Sequence, residues 1–266
     1  MTRKSSKKIK KVFVIGDVHG EYLGFAAVLI HAKLMNPELE WTGKNNVLVQ
    51  IGDIIDRGFY PIQADRLLDV LQKEARKTGG KIIRLIGNHE LELIKKNYYI
   101  TSLPYFQVEE YRNKLIKQIK EGVLQAAYYA KGYVITHAGI CNSLYTILEG
   151  EIKDVTPVKL VKYINTVFKK AVLEGNYKHP IFNISYLRGG PNSYGGIFWE
   201  DLRYLIKNYD KVPFKQILGH TRIKENFKTK DGKLVEIDIG LNKVLEGTYS
   251  YPVINQRKKL IFKKVV

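Results

Sequence analysis

The chain has 266 residues, 45% of them hydrophobic, and a formal charge of +18 from 44 Lys and Arg against 26 Asp and Glu. That size and composition fit one large globular α/β domain and exclude a disordered or fibrous chain. No apolar run approaches the roughly 20 residues a bilayer span requires, and the lone Cys141 can form no internal disulfide, which points to an intracellular, cytoplasmic protein. The charge favours polyanionic partners, nucleic acid among them. Solvated basic faces account for it equally well, because no long basic run interleaves with aromatics.

In chain order, residues 1–11 form a basic tail expected to be mobile, followed by a single domain over 12–266. Val12 to Ile15 reads as a buried strand, too short for a signal-peptide core. It ends in Gly16-Asp17-Val18-His19-Gly20, and Glu21 to Met35 carries helical periodicity. Val47 to Ile51 is a second strand, ending in Gly52-Asp53-Ile54-Ile55-Asp56-Arg57-Gly58. Pro61 opens a helix that Gly79-Gly80 closes. Lys81 to Ile86 is a third strand, ending in Gly87-Asn88-His89-Glu90. A helical region follows, broken near Thr101 to Pro104 and resuming over Gln107 to Glu121.

Tyr133 to Thr136 is a fourth strand, ending in His137-Ala138-Gly139. Thr156 caps a long amphipathic helix that begins at Pro157. Gly175 to Gly196 is loop-like. Phe214 to Leu218 is a fifth strand, ending in Gly219-His220-Thr221. Residues 233–266 alternate apolar and polar side chains and predict antiparallel hairpins.

Each strand thus delivers a polar turn to the lip of a sheet, where open α/β folds bind ligands. Asp17, His19, Asp53, Asn88, His137 and His220 offer oxygen and nitrogen donors and no thiolate. That mix suits Mn, with Fe, Zn or Co as alternatives. Six donors exceed one ordinary centre and suit two adjacent divalent ions, with Asp53 as the bridging carboxylate. Such a pair activates water for in-line attack on phosphorus. Arg57 can hold phosphate oxygens through its planar fork. Asp56 can orient His89 as the acid that protonates the leaving group.

These five blocks, in this order, resemble the signature of the calcineurin-like metallophosphoesterases. The Asp56-Arg57-Gly58 and Asn88-His89-Glu90 forms resemble the phosphoprotein phosphatase branch, and the likeness spans residues 12–221. The resemblance implies a four-layer α/β/β/α fold with a central β-sandwich. It implies Asp17, His19 and Asp53 on one metal, and Asp53, Asn88, His137 and His220 on the other. It also implies an Asp56–His89 acid pair, with Arg57 and Asn88 on the phosphate. His137-Ala138-Gly139 departs from the His-Gly-Gly of eukaryotic members and resembles bacterial, archaeal and phage forms. The chain is also shorter than the eukaryotic catalytic subunits and lacks their C-terminal loop. For the family's second phosphate-binding arginine, Arg188 is the candidate and Arg203 its competitor. Asp238, in Ile237-Asp238-Ile239-Gly240-Leu241, resembles a strand-end acid near the site in prokaryotic members.

The resulting expectation is a phosphomonoester hydrolase acting on phosphorylated protein, of Ser/Thr phosphatase type. A nucleotide or nucleic-acid phosphoesterase is the alternative, and a basic binding module on an inactive scaffold a third. His31 and His179 read as structural or surface residues. Trp199 either walls the site or packs the core. Tyr98, Tyr99, Tyr105, Phe106 and Tyr111 read as packing for a helical insert, with a substrate groove as the other possibility.

Overall fold

The computed structural model describes residues 10–265. Residues 1–9, most of the expected basic tail, lie outside the described residues, as does Val266. β1 (Val12–Ile15) leads to α1 (Tyr22–His31), β2 (Val47–Gln50) to α2 (Pro61–Thr78), and β3 (Lys81–Leu85) to α3 (Asn88–Ile94). Pro61 fixes the first turn of α2, and Gly79 ends it in the left-handed conformation at φ 81°. α4 (Tyr105–Lys120), β4 (Leu124–Gln125), β5 (Ala127–Ala130) and β6 (Tyr133–Thr136) follow. Next come α5 (Asn142–Glu151), α6 (Pro157–Glu174), α7 (Leu202–Asn208) and β7 (Lys215–Leu218). β8 (Phe227–Lys228), β9 (Leu234–Glu236), β10 (Ser250–Ile254) and β11 (Leu260–Lys264) complete the chain. The Thr156 hydroxyl accepts from the Lys159 amide and caps α6, as the sequence predicts.

Two sheets form, in the orders β11-β10-β1-β2-β3-β4 and β5-β6-β7-β9-β8. Strand periodicity sorts their side chains. Val12, Val14, Val47, Val49 and Leu85 of one sheet meet Ile135, Ile217 and Val235 of the other in a dry cluster between the sheets. Phe13, Ile15 and Leu48, one step out of phase, join Phe25, Val28 and Leu29 of α1 and Leu67, Leu68 and Leu71 of α2. Helices outside, two sheets inside, is the α/β/β/α layering expected from the motifs.

Three sequence-based expectations are corrected. β9 does not form an antiparallel hairpin with its successors. It pairs parallel to β7 and antiparallel to β8, and only β10 and β11 make the expected hairpin. α4 starts at Tyr105 rather than Gln107. Tyr111 packs in the core and Tyr98 against it. Tyr99, Tyr105 and Phe106, however, are 100%, 90% and 79% exposed, so they pack nothing.

One charged cluster sits beneath α2. Arg84 of β3 is buried and pairs with Asp65 and, at 2.5 Å, with Asp69, while Lys114 of α4 bonds both acids.

Candidate active site

The carboxyl ends of β1, β2, β3, β6 and β7 meet on one side of the sandwich, and their turns are locked to one another. Asp53 O accepts from the amides of Val18 and His19, and His19 O accepts from Gly58 N. Glu90, buried at the start of α3, accepts from four backbone amides. Its Oε1 takes Ile54 N at 2.7 Å and Ile55 N at 3.2 Å. Its Oε2 takes Asp53 N at 2.9 Å and Gly87 N at 3.0 Å. Burial and the Asp53 charge push the Glu90 carboxyl up to about 6, against the pull of those amides. Gly52 and Gly87 allow the close approach. A methyl on Gly52 would overlap the Gly87 backbone, and one on Gly87 would overlap Asp53 Oδ1.

Backbone strain concentrates here. Twelve described non-glycine residues have positive φ, and five of them are His19, Asp53, Asp56, Arg57 and His220. Left-handed turns at side chains cost free energy and persist where surrounding contacts hold them.

The six predicted metal donors come together. His19 Nε2 lies 3.9 Å from Asp17 Oδ2 and 3.5 Å from Asp53 Oδ2. His137 Nε2 lies 3.6 Å from Asp53 Oδ2, 2.9 Å from Asn88 Oδ1 and 3.2 Å from His220 Nδ1. His19 Nδ1 and His137 Nδ1 donate to the carbonyls of Ile55 and Ile51. Each imidazole therefore turns the lone pair of Nε2 inward, the tautomer a metal ligand needs.

Electrostatics agree with a cation pair. Burial and neighbouring positive groups hold His19 neutral, its pKa lowered to about 2, and burial lowers His137 to about 4. Burial also pushes His220 well below its ordinary value. Burial pushes Asp17 upward, helped by Asp238, Asp53 and Glu236. It also raises Glu236 with help from Asp238, Asp238 with help from Asp53, and Asp53 with help from Asp56. The fold thus gathers carboxylates and neutral imidazoles whose lone pairs face each other. His220 Nε2 is buried with no hydrogen-bond partner. This donor set fits divalent cations of the Mn, Fe, Zn or Co type. His19, Asp53 and His89 form one group able to hold an ion, and Asp53, His137 and His220 another. In the first group His89 stands where the sequence places Asp17.

His89 is tied elsewhere. Its Nδ1 lies 2.7 Å from Asp56 Oδ2, and its Nε2 lies 3.4 Å from Arg57 Nη2. Burial alone would depress its pKa, but Asp53 and the bond to Asp56 outweigh it and raise the value. Asp56 Oδ1 accepts from Thr101 Oγ1 and Ser102 N, each at 2.8 Å. Arg188 Nη2 donates to Thr221 Oγ1 at 2.5 Å, beside His220, and its Nε lies 3.0 Å from Asp201 Oδ2. Arg203 turns onto Asp201 and leaves most of its side chain in solvent. The geometry therefore sets Arg188 nearer the cluster. The Trp199 ring stands edge-on to His220, centroids 5.5 Å apart, and walls the site. His31 bonds Tyr251 and His179 bonds Glu151, away from the cluster.

The calcineurin-like phosphoesterase family model matches residues 10–237. The chain belongs to this family. A Shewanella-like protein phosphatase 1 from Plasmodium berghei is 42% identical over 80 residues, 30% of this chain and 22% of that protein. Matches to the curated relatives cover only 22% to 27% of their length. A point mutant of a cold-active protein tyrosine phosphatase superposes with a TM-score of 0.72 at 17% identity, covering 97% of this chain and 81% of its own. A protein serine/threonine phosphatase from Saccharomyces cerevisiae gives 0.58 at 14% identity, covering 98% and 81%. At such identities the likeness is one of fold. Among the described residues no helix is long and apolar enough to cross a membrane.

Glu90, Glu236, Thr101 and Ser102 are the site residues that sequence reasoning left without a role. The capping position of Glu90, three residues after Gly87, was the available signal. The other three carry none in the sequence.

Proposed function

We propose that this phosphoesterase removes phosphate from phosphoserine and phosphothreonine in proteins. The supporting observation is the buried Asp56–His89 pair, 2.7 Å apart, beside Arg57. A serine or threonine alkoxide is a poor leaving group and needs a proton, whereas a phenolate needs it far less. The protein phosphatase names of the sequence relatives agree with a protein substrate.

Asp17, His19 and Asp53 would hold one divalent cation, and Asp53, Asn88, His137 and His220 the other. When bound, such a pair lowers the pKa of water and neutralises phosphate charge. Arg57 and Arg188 orient the phosphoryl oxygens, joined by the Asn88 side chain, and Arg57 does so through a fork that matches two oxygens at once. Asp56 accepts from His89 Nδ1 and favours the doubly protonated ring, whose Nε2 proton then passes to the leaving oxygen. Glu90 keeps the loop of Asp53, Asp56 and Arg57 in place.

The test is a substrate panel with protein stripped by chelator and reloaded with Mn²⁺. Phosphoserine peptides should be turned over only after reloading. The panel also holds para-nitrophenyl phosphate, a bis-ester and a 3′-phosphorylated oligonucleotide. Full activity without metal would refute the metal reading. Preference for the oligonucleotide or the bis-ester would refute the protein substrate.

A further inference from the structure

Exposed aromatic rings are not scattered over this protein. Among the described residues six are exposed: Phe59, Tyr60, Tyr99, Tyr105, Phe106 and Tyr186. Phe59 and Tyr60 follow Arg57-Gly58 directly, and Tyr186 precedes Arg188 by two residues. Tyr99, Tyr105 and Phe106 lie on the arm 98–106, whose inner side donates Thr101 Oγ1 and Ser102 N to Asp56. A cleft of about 190 Å³ separates the first turns of α2 and α4 and is lined by Ile62, Arg66, Gln107 and Glu110. Tyr60 caps α2 two residues before Ile62, and Tyr105 and Phe106 open α4 just before Gln107. Phe59, Tyr60 and Tyr186 thus stand within three residues of a site arginine, and Tyr99, Tyr105 and Phe106 lie on the segment that bonds Asp56. Clustered exposed apolar surface marks an interaction site, and aromatic rings are its usual anchors.

The charge on this rim narrows the occupant. Glu109 and Glu110 follow Tyr105 and Phe106 by four residues, on the same side of α4. Both are exposed, and the first basic residue of α4 is Arg112. The cleft sets Arg66 and Lys114 beside Asp65 and Glu110, so a uniformly anionic phosphodiester strand would meet carboxylates as well as bases. A polypeptide, whose side chains carry both signs and apolar groups, can match such a mixed surface.

We propose that these rings form a collar that seats a protein substrate on either side of its phosphorylated residue. It selects apolar or aromatic neighbours, and Glu110 selects a basic one. This inference rests on the protein phosphatase reading above. The arm ties the collar to the acid pair, because Tyr99 and the Asp56 donors share one short segment.

The test compares kcat/KM for a phosphoserine peptide flanked by Phe and Arg with that for para-nitrophenyl phosphate. In Tyr99→Ala and in the double variant Tyr105→Ala/Phe106→Ala, the peptide-to-small-substrate ratio should fall at least about tenfold, chiefly through KM. These side chains are exposed, so folding should persist, and circular dichroism checks it. Glu110→Lys should shift preference from basic toward acidic phosphopeptides by about fivefold or more. Unchanged ratios in all three variants, with the parent cleaving the peptide, would overturn the collar and leave the protein phosphatase reading standing. Selective loss on a 3′-phosphorylated oligonucleotide would reassign the rings to base stacking and overturn it too. A parent that cleaves para-nitrophenyl phosphate but no phosphopeptide would overturn both.

Discussion

Glu90→Gln is a one-atom change with a calculable cost. The carboxylate holds four backbone amides, two on each oxygen, from Asp53, Ile54, Ile55 and Gly87. Glutamine keeps one oxygen and replaces the other with an NH₂ group. Whichever way the amide turns, two N–H donors face another donor inside a buried site. Hydrogen bonds to a charged group contribute about 1.5–3 kcal/mol each, so losing two should cost about 3–6 kcal/mol. That is a large share of a domain's usual 5–15 kcal/mol, roughly, of total stability. The freed segment carries Asp53, Asp56 and Arg57, so activity should fall as well, by about 10²-fold or more. Urea unfolding with and without Mn²⁺, together with kcat/KM on a phosphoserine peptide, measures both effects. Unfolding free energy within about 1 kcal/mol of the parent, with kcat/KM within about threefold, would show that Glu90 does not hold the loop.

His89→Asn should slow phosphoserine peptides by about 10²–10⁴-fold and para-nitrophenyl phosphate distinctly less, since only the alkoxide needs a proton. Equal losses on both substrates would exclude the acid role. Thr101→Val removes one of the donors to Asp56 Oδ1 and should give a weaker copy of that leaving-group pattern, about three- to tenfold on the peptide. A uniform loss on both substrates would mean that Thr101 acts only through stability. Arg57→Lys should lose about 10–100-fold in kcat/KM with metal content intact, because lysine lacks the fork. Unchanged kinetics by the same assay would remove Arg57 from the phosphate. Arg84→Ala leaves Asp65 buried with only Lys114 beside it, and should cost about 3–5 kcal/mol in urea unfolding while sparing metal content.

The candidate site was legible in the sequence because its residues fall in short polar turns at strand ends. Asp17, His19, Asp53, Asn88, His137 and His220 each follow a short apolar run, and the fold brings all six together. Less of the scaffold could be read. β5 and β6 are joined by Lys131-Gly132, at φ 49° and 95°, the left-handed pair of a tight hairpin. Asparagine or aspartate usually announces that turn, and lysine concealed it. α7 is capped by Asp201, whose carboxylate accepts from the Arg203 amide, a cap hidden inside an acidic pair. Glu90 was visible as a residue but not as a staple, because its amide donors at 53–55 lie some thirty-five residues away in the chain. Contacts of that range leave no periodicity to read. The aromatic arm was misread for the opposite reason. Apolar spacing signals packing, and it cannot distinguish a ring turned inward from one left in solvent.

Net charge misleads on function here because its placement matters more than its sum. The chain is strongly basic, yet its candidate site is the reverse inside. Asp17, Asp53, Glu90, Glu236 and Asp238 are all buried around the imidazoles. Burial and neighbouring carboxylates raise each of those groups even with Arg222 beside Asp238 and His89 and Arg57 near Asp53, so the interior favours added cations. Arg57 and Arg188, beside His89 and Thr221, are the arginines proposed above to meet the phosphoryl oxygens. The exposed rings with Glu109 and Glu110 then form a rim of mixed character rather than a basic track. A nucleic-acid enzyme would need lysines and arginines interleaved with those rings along a groove. The rim instead mixes rings with both signs of charge, Arg66 and Lys114 beside Asp65 and Glu110, and that mixture is what favours the proposed polypeptide over a uniformly anionic strand.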